Sequence, residues 1–316
     1  MAYATENYGS ERSDLIAAIK NRFEAAGFTI AHHQGEVVII QLQTNLFVQY
    51  RCVNFLYVTR PGRHRYTNSL RWRMGTGHSN GSLTNASEEE GMGSGYSGFN
   101  GPIQHVPLPG KLHFCKTDLA GKYDYVLCLE NTADAKGASC LAAELQCVDA
   151  EFGARSHHYL AGNATSGSTV EGNPGPFISA GMYTGGSGFI ARIGADGNLQ
   201  AYLPASTEQN YNSTYPTANS WLSVGPYGYY RTIQDKLYFD PSLTTIMLPA
   251  VWGCRMPAAS GNYGGPVKGE FPQFKITTMK YAGIGTEMTL DGKKYRLFPR
   301  IGKGGENTLA YAIRES

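Results

Sequence analysis

The residues that could do chemistry are few, and their spacing decides what they can do. Gly93-Ser94-Gly95-Tyr96-Ser97-Gly98 matches the G-x-G-x-x-G pattern of a dinucleotide-binding turn. Phosphate binding there needs a strand before the glycines and a helix N-terminus after them, where backbone N–H groups converge. Glu88-Glu89-Glu90 precedes the stretch and Phe99-Asn100-Gly101-Pro102 follows it, so neither flank fits. Three carboxylates would also repel a phosphate. The stretch reads as a loop. No G-x-x-x-x-G-K-[ST] phosphate loop and no G-x-S-x-G nucleophile elbow occurs. His32-His33 and His157-His158 are adjacent pairs, and neighbours on a strand point to opposite faces, a poor arrangement for two ligands to one ion. Glu144 and Asp149, five apart, are separated by a strand in the same way, which is wrong for paired acid–base work. The sequence therefore nominates no catalytic, cofactor-binding or metal-ligating residue, and an enzyme is not expected.

The most polarised stretch runs from Arg51 to Arg73. It holds Arg51, Arg60, Arg63, Arg65, Arg71 and Arg73 among Tyr57, Tyr66 and Trp72. Basic residues interleaved with aromatics can hold single-stranded nucleic acid by phosphate contact and stacking. Arg, Tyr and Trp are also the residues enriched at protein–protein hot spots. The acidic run Glu88, Glu89 and Glu90 lies a little downstream. Self-assembly accounts for both signs with one mechanism, in which the basic segment of one subunit meets the acidic segment of its neighbour. The six arginines, Trp72 and the three glutamates are therefore the interface candidates, and nucleic acid is not the expected partner.

Composition agrees with a binding surface covered by other chains. Charged residues are 16% of the 316, well below the usual ~25%, while glycine (39) and tyrosine (21) are abundant. Such a balance favours short strands joined by tight turns, with surface buried by partners. The formal net charge of +2 gives no global attraction to nucleic acid or to an anionic membrane. No run approaches the ~18 apolar residues of a membrane helix, and the polar N-terminus lacks the apolar core of a secretory signal. Synthesis and folding in a cytoplasm are expected. The sequons at Asn80, Asn85, Asn163 and Asn212 are then incidental, and the six cysteines, with no C-x-x-C pair, are expected to be small buried thiols.

The elements that must position these residues are mostly strands. One helix is expected where Leu15, Ile16, Ile19, Phe23 and Ala26 recur at helical spacing, with Ser10 or Ser13 as N-cap and Gly27 as the stop. The period then changes to two, giving strands at 36–43 and 46–53 joined by Thr44-Asn45. From about 60 to 110 periodicity fades among Pro61-Gly62 and many Gly and Ser, which reads as an extended assembly arm. Strands resume at 111–116, 123–130 and 141–149, and a hairpin is expected around Ala195-Asp196-Gly197. Further strands at 244–252, 273–279, 294–300 and 308–314, with a turn at Asp291-Gly292, complete the pattern. The expected fold is mainly β: an N-terminal helix on a small sheet, followed by an antiparallel β-sandwich or open barrel with long Gly/Ser-rich loops. The expected division is 1–60, the arm at 61–110, and a β-rich main domain at 111–316.

The order of these segments resembles a family of tailed-bacteriophage virion structural proteins. The stretch TGGSGFIARIGADGNLQAYL is similar to that family's Gly-Gly-Ser, strand, Asp-x-Gly turn, strand unit, with Asp-Gly here lacking the intervening residue. The C-terminal third resembles it more closely, through TTIMLPAVWG, NYGGPVKGEFPQF, GTEMTLDGKKYRLFPRI and the closing GGENTLAYAIRES. The opening helix and two strands are similar to the small α/β subunits that form rings at the phage neck. The resemblance implies a non-enzymatic virion protein that forms a homo-oligomeric ring at the neck or collar, or at the tail. Its implied partners are copies of itself and other neck or tail proteins. A baseplate or tail-tip component, or a carbohydrate- or receptor-binding tail module, is the alternative, the latter favoured by the tyrosines of 206–220 and by Trp221.

Overall fold

The computed structural model describes residues 3–60, 63–86, 90–92, 106–132, 136–147, 157–165, 186–193, 199–202, 220–222, 248–254, 267–278, 282–299, 301–302 and 309–316, some of them by backbone course alone. Among these there is one helix. The chain opens with β1 (Tyr3–Tyr8), α1 (Arg12–Ala25), β2 (Thr29–Gln34), β3 (Val37–Gln43), β4 (Leu46–Arg60) and β5 (Arg63–Gly75). Three short strands follow, β6 (Gly77–Ser79), β7 (Ser82–Thr84) and β8 (Glu90–Met92). Next come β9 (Gly110–Lys116), β10 (Tyr125–Asn131), β11 (Lys136–Cys147), β12 (His157–Thr165), β13 (Gly186–Ile193) and β14 (Leu199–Tyr202). The last group is β15 (Ser220–Leu222), β16 (Leu248–Cys254), β17 (Val267–Thr278), β18 (Glu287–Leu290), β19 (Lys293–Pro299), β20 (Ile301–Gly302) and β21 (Leu309–Arg314).

These strands form antiparallel sheets and no closed barrel, so the mainly β expectation holds. A five-stranded sheet runs β2-β3-β4-β5-β8, and β6 and β7 make a small separate hairpin. The large sheet follows β1-β9-β10-β11-β17-β21-β19-β18, with β12 to β14 branching from β11 and β15 and β16 from β17. Strand β11 joins two parts of this sheet: Lys136–Ala142 pair with β10, while Gln146 and Cys147 pair with β17. The expected hairpins at 36–53 and around 195–197 are present as β3–β4 and β13–β14. The Asp291-Gly292 turn joins β18 to β19, with both residues in the left-handed region (φ 52° and 71°), as a tight two-residue hairpin requires.

The main core lies between the five-stranded sheet and β9–β11, with α1 wedged against both. Leu15, Ile16, Ile19 and Phe23 from the helix join Val48, Tyr50, Leu70 and Trp72 from one sheet and Phe114, Tyr125, Leu127 and Cys140 from the other. Helical spacing puts the first four on one face, and period two does the same for each strand. At the centre the hydroxyls of Tyr50 and Tyr125 hydrogen-bond at 2.5 Å, which satisfies two polar groups that burial would otherwise penalise. The opposite face of β9–β11 is also buried, through Cys115, Val126, Cys128 and Leu141. Burial on both faces explains why YVLCL reads as a continuous apolar run instead of an alternation.

Several expectations change. The helix is capped by Glu11, not Ser10 or Ser13; its backbone N–H donates to Asp14 Oδ2 at 3.2 Å. Gly9 allows this approach, since a Cβ there would overlap the Asp14 carboxylate. Gly27 does end the helix, at φ 85°. Residues 63–75 are not part of a structureless arm: they form β5, paired with β4 along its whole length. A boundary at residue 60 thus falls at the tip of one hairpin, and residues from Tyr8 to Ala142 share one core. The middle of the expected arm, including Gly93–Gly98, lies outside the described residues, as do most of 206–220.

Candidate assembly interface

The Arg51–Arg73 segment is the β4–β5 hairpin. Its register pairs Gln49 with Arg73, Tyr50 with Trp72 and Arg51 with Arg71, and continues to Tyr57 with Arg65 and Arg60 with Arg63. Period two then divides the candidates. Trp72 points inward, is fully buried beside Tyr50 in the main core, and cannot be an interface residue. Arg51, Arg71 and Arg73 lie on the outward face. Arg73 Nε donates to Gln49 Oε1 at 2.6 Å, and Gln49 Nε2 donates to the Gly81 carbonyl at 3.3 Å. This ties the arginine row to the β6–β7 hairpin, which covers the rest of that face by packing Leu83 on Ile39 and Phe47. Arg60, Arg63 and Arg65 sit at the distal end of the ladder.

Glu88 and Glu89 lie outside the described residues. Glu90 opens β8 and is the register partner of Trp72, with Gly91 opposite Arg71. The end of the acidic run is thus joined by backbone pairing to the basic strand of its own chain. Within one chain, Glu90 and the basic strand are therefore neighbours in one sheet.

The hairpin has two parts. Up to Cys52 and Leu70 it packs on the core, with β3 on one side and β8 on the other. Beyond that point Val53–Arg60 and Arg63–Ser69 continue as a ladder of two strands, with Val106 N–H donating to the Asn68 carbonyl. Strands of 15 and 13 residues, rising about 3.3 Å per residue, make the whole hairpin about 45–50 Å long. Roughly 25 Å of it is the two-stranded extension. Among the described residues no further strand pairs with its outer edges.

Elsewhere the ionisable groups are committed to holding the fold. His113, only 2% exposed, sits between the Tyr3 hydroxyl (2.9 Å at Nδ1) and Glu130 (2.7 Å at Nε2), and burial lowers its pKa below the ordinary value. Arg296 pairs with Glu287 at 2.6 Å and Glu315 at 3.0 Å. Burial raises the Asp124 carboxyl to about 7, while its Oδ1 accepts the Glu144 N–H at 3.0 Å. Cys52, Cys115, Cys128 and Cys140 are buried free thiols, and burial pushes Cys128 up to about 12, so they are poor nucleophiles. A concavity of about 730 Å³ lies where the turn after α1 meets the β3–β4 turn. Its two lysines are engaged: Lys116 Nζ lies 4.7 Å from the Phe28 ring centroid, and Lys122 pairs with Glu144 at 2.8 Å. Among the described residues no three His, Cys, Asp or Glu side chains gather where a metal ion could bind. His32 and His33 occupy β2 beside a register shift, and His157 and His158 lie in β12.

No protein-family model matches the chain, and comparison with curated proteins likewise finds no match.

Proposed function

We propose that this chain is a structural, non-catalytic component of a tailed-phage particle, forming a homo-oligomeric ring at the neck or collar, or at the tail. The observation that carries the reading is the two-stranded extension of the β4–β5 hairpin. Among the described residues no other strand pairs with Val53–Arg60 or with Arg63–Ser69, and a two-stranded ladder by itself is marginal in water. A ladder of this length is explained most simply by a surface outside the chain. An arm on one side of a subunit that seats on a different surface of the next makes a heterologous contact, which closes into a ring when the rotation permits. Low charge, abundant tyrosine and the resemblance of the C-terminal segments to phage virion proteins support the same reading.

The revised arrangement also moves the expected contact. Arg60, Arg63 and Arg65, at the far end of the ladder, are the candidates for reaching a neighbour, while Arg73 is held by Gln49. The test shortens the arm beyond the buried residues Cys52, Ser69 and Leu70. Asn54 and Asn68 are register partners, so residues 55–67 can be replaced by Asn-Gly, which closes two-residue hairpins. Native mass measurement should find a closed oligomer for the wild type and a folded monomer for the shortened chain. An oligomer that survives the deletion would refute the arm's role.

A further inference from the structure

Strand β1 pairs with one strand only, β9, and among the described residues nothing pairs with its outer edge. Side chains hold it from both faces. On the helix side Glu6 pairs with Arg22 at 2.6 Å. On the other side Tyr3 enters a socket made by residues from the far end of the chain. Its ring packs against Phe298 at 6.1 Å and His113 at 6.2 Å, with the Arg296 guanidinium 4.7 Å from its centroid. Gly285 closes the socket: a Cβ there would overlap the Tyr3 hydroxyl.

We propose that β1 is a latch kept shut by the neutral imidazole of His113 and released when that imidazole takes up a proton. An ionised Glu130 carboxylate can only accept, so Nε2 of the neutral ring carries its hydrogen and donates to Glu130. Nδ1 is then a lone-pair acceptor, and the Tyr3 hydroxyl donates to it. A proton on Nδ1 removes that acceptor. The Tyr3 hydrogen must turn away from the ring on a hydroxyl that Gly285 closely approaches, and a second cation comes to lie against the ring that already carries Arg296.

The charged and titratable groups around the imidazole come from every neighbouring element. Lys111 on the same strand opposes protonation, and Glu130 on β10 favours it. Arg296 on β19 has Glu287 and Glu315 as its own partners, so their carboxylates are engaged. Cys115 and Cys128 are kept neutral by burial. Burial is the largest influence on His113 and disfavours its charged form. In the released state the imidazole is solvated and titrates near its ordinary value of about 6.5. The latched state therefore has its full advantage above that pH and loses it as pH falls, by at most about tenfold per pH unit for one proton.

Hydrogen exchange on the full chain between pH 7.5 and 5, corrected for intrinsic rates, tests this. Protection of Tyr3–Tyr8, and of the β9 amides bonded to it, should fall by up to about tenfold per unit below pH ~6.5. Core amides around Tyr50 and Tyr125 should stay protected. His113→Gln should make the β1 profile independent of pH. Should that variant fail to fold, Tyr3→Phe decides: β1 should already be weakly protected at pH 7.5, with little further loss on acidification. A flat wild-type profile, a loss shared equally by the core, a pH dependence persisting in His113→Gln, or a Tyr3→Phe strand as protected as wild type would each overturn the latch.

Discussion

Phe23 is the residue on which the helix's role as a wedge depends, and Phe23→Ala measures it. The side chain is fully buried, and its ring lies 4.7 Å from Phe114, 4.8 Å from Tyr125, 5.2 Å from Phe28 and 6.0 Å from Tyr50. Two of these partners belong to the large sheet and one to the five-stranded sheet, so a single truncation opens a cavity where three elements meet. Buried Phe→Ala changes cost about 3–5 kcal/mol, and close aromatic pairs add about 0.5–1.5 kcal/mol each beyond their area. With two neighbours under 5 Å, the loss should sit at the top of that range, about 4–5 kcal/mol. Against a typical total of about 5–15 kcal/mol, the variant should be close to unfolding at 37 °C. Equilibrium urea unfolding followed by near-ultraviolet circular dichroism reads this directly, and Phe23→Leu should recover more than half of the loss. A loss below about 2 kcal/mol with an unchanged denaturant slope would refute the wedge, because the two sheets would then be holding each other without the helix.

Two further predictions use groups buried in the same region. Burial raises the Asp124 carboxyl from 3.8 to about 7, so between those values the folded state holds a proton that the unfolded chain has lost, and stability falls as pH rises through that window. Asp124→Asn keeps an oxygen for the Glu144 N–H and should be more stable than wild type at pH 8, by an upper bound of about 4 kcal/mol; equal urea midpoints at that pH would contradict this. Cys128→Ala should cost about 1–2 kcal/mol as a small cavity and leave assembly intact, and the four buried thiols should react with a disulfide reagent only on unfolding. Rapid labelling of the native protein at those cysteines would show that they are not enclosed.

Much of the fold was legible because buried faces leave a period in the sequence. Leu15, Ile16, Ile19 and Phe23 marked α1, and the alternation of 36–53 marked β3 and β4. The chemically special turns, Gly27 and Asp291-Gly292, were legible because few other residues adopt positive φ easily. Strand β5 was missed for a physical reason. Leu70, Trp72 and Met74 alternate with Arg71 and Arg73, but the segment before them, Arg63–Ser69, carries little apolar pattern of its own. Pro61-Gly62, read as the start of a loop, lies outside the described residues, between the end of β4 and the start of β5. The roles of Trp72 and His113 depend on partners remote in sequence, Tyr50 in one case and Tyr3 and Glu130 in the other. No local spacing announces such contacts. The G-x-G-x-x-G stretch, judged by its flanks, lies outside the described residues.

The central claim is a ring of identical chains joined through the β4–β5 extension. Electron microscopy of the assembled particle tests it most directly, at a resolution that places individual strands. The account predicts a closed ring of several copies in which each extension, from Val53 to Ser69, lies against the adjacent copy. One copy per particle, or a ring whose extensions point into open solvent, would contradict it.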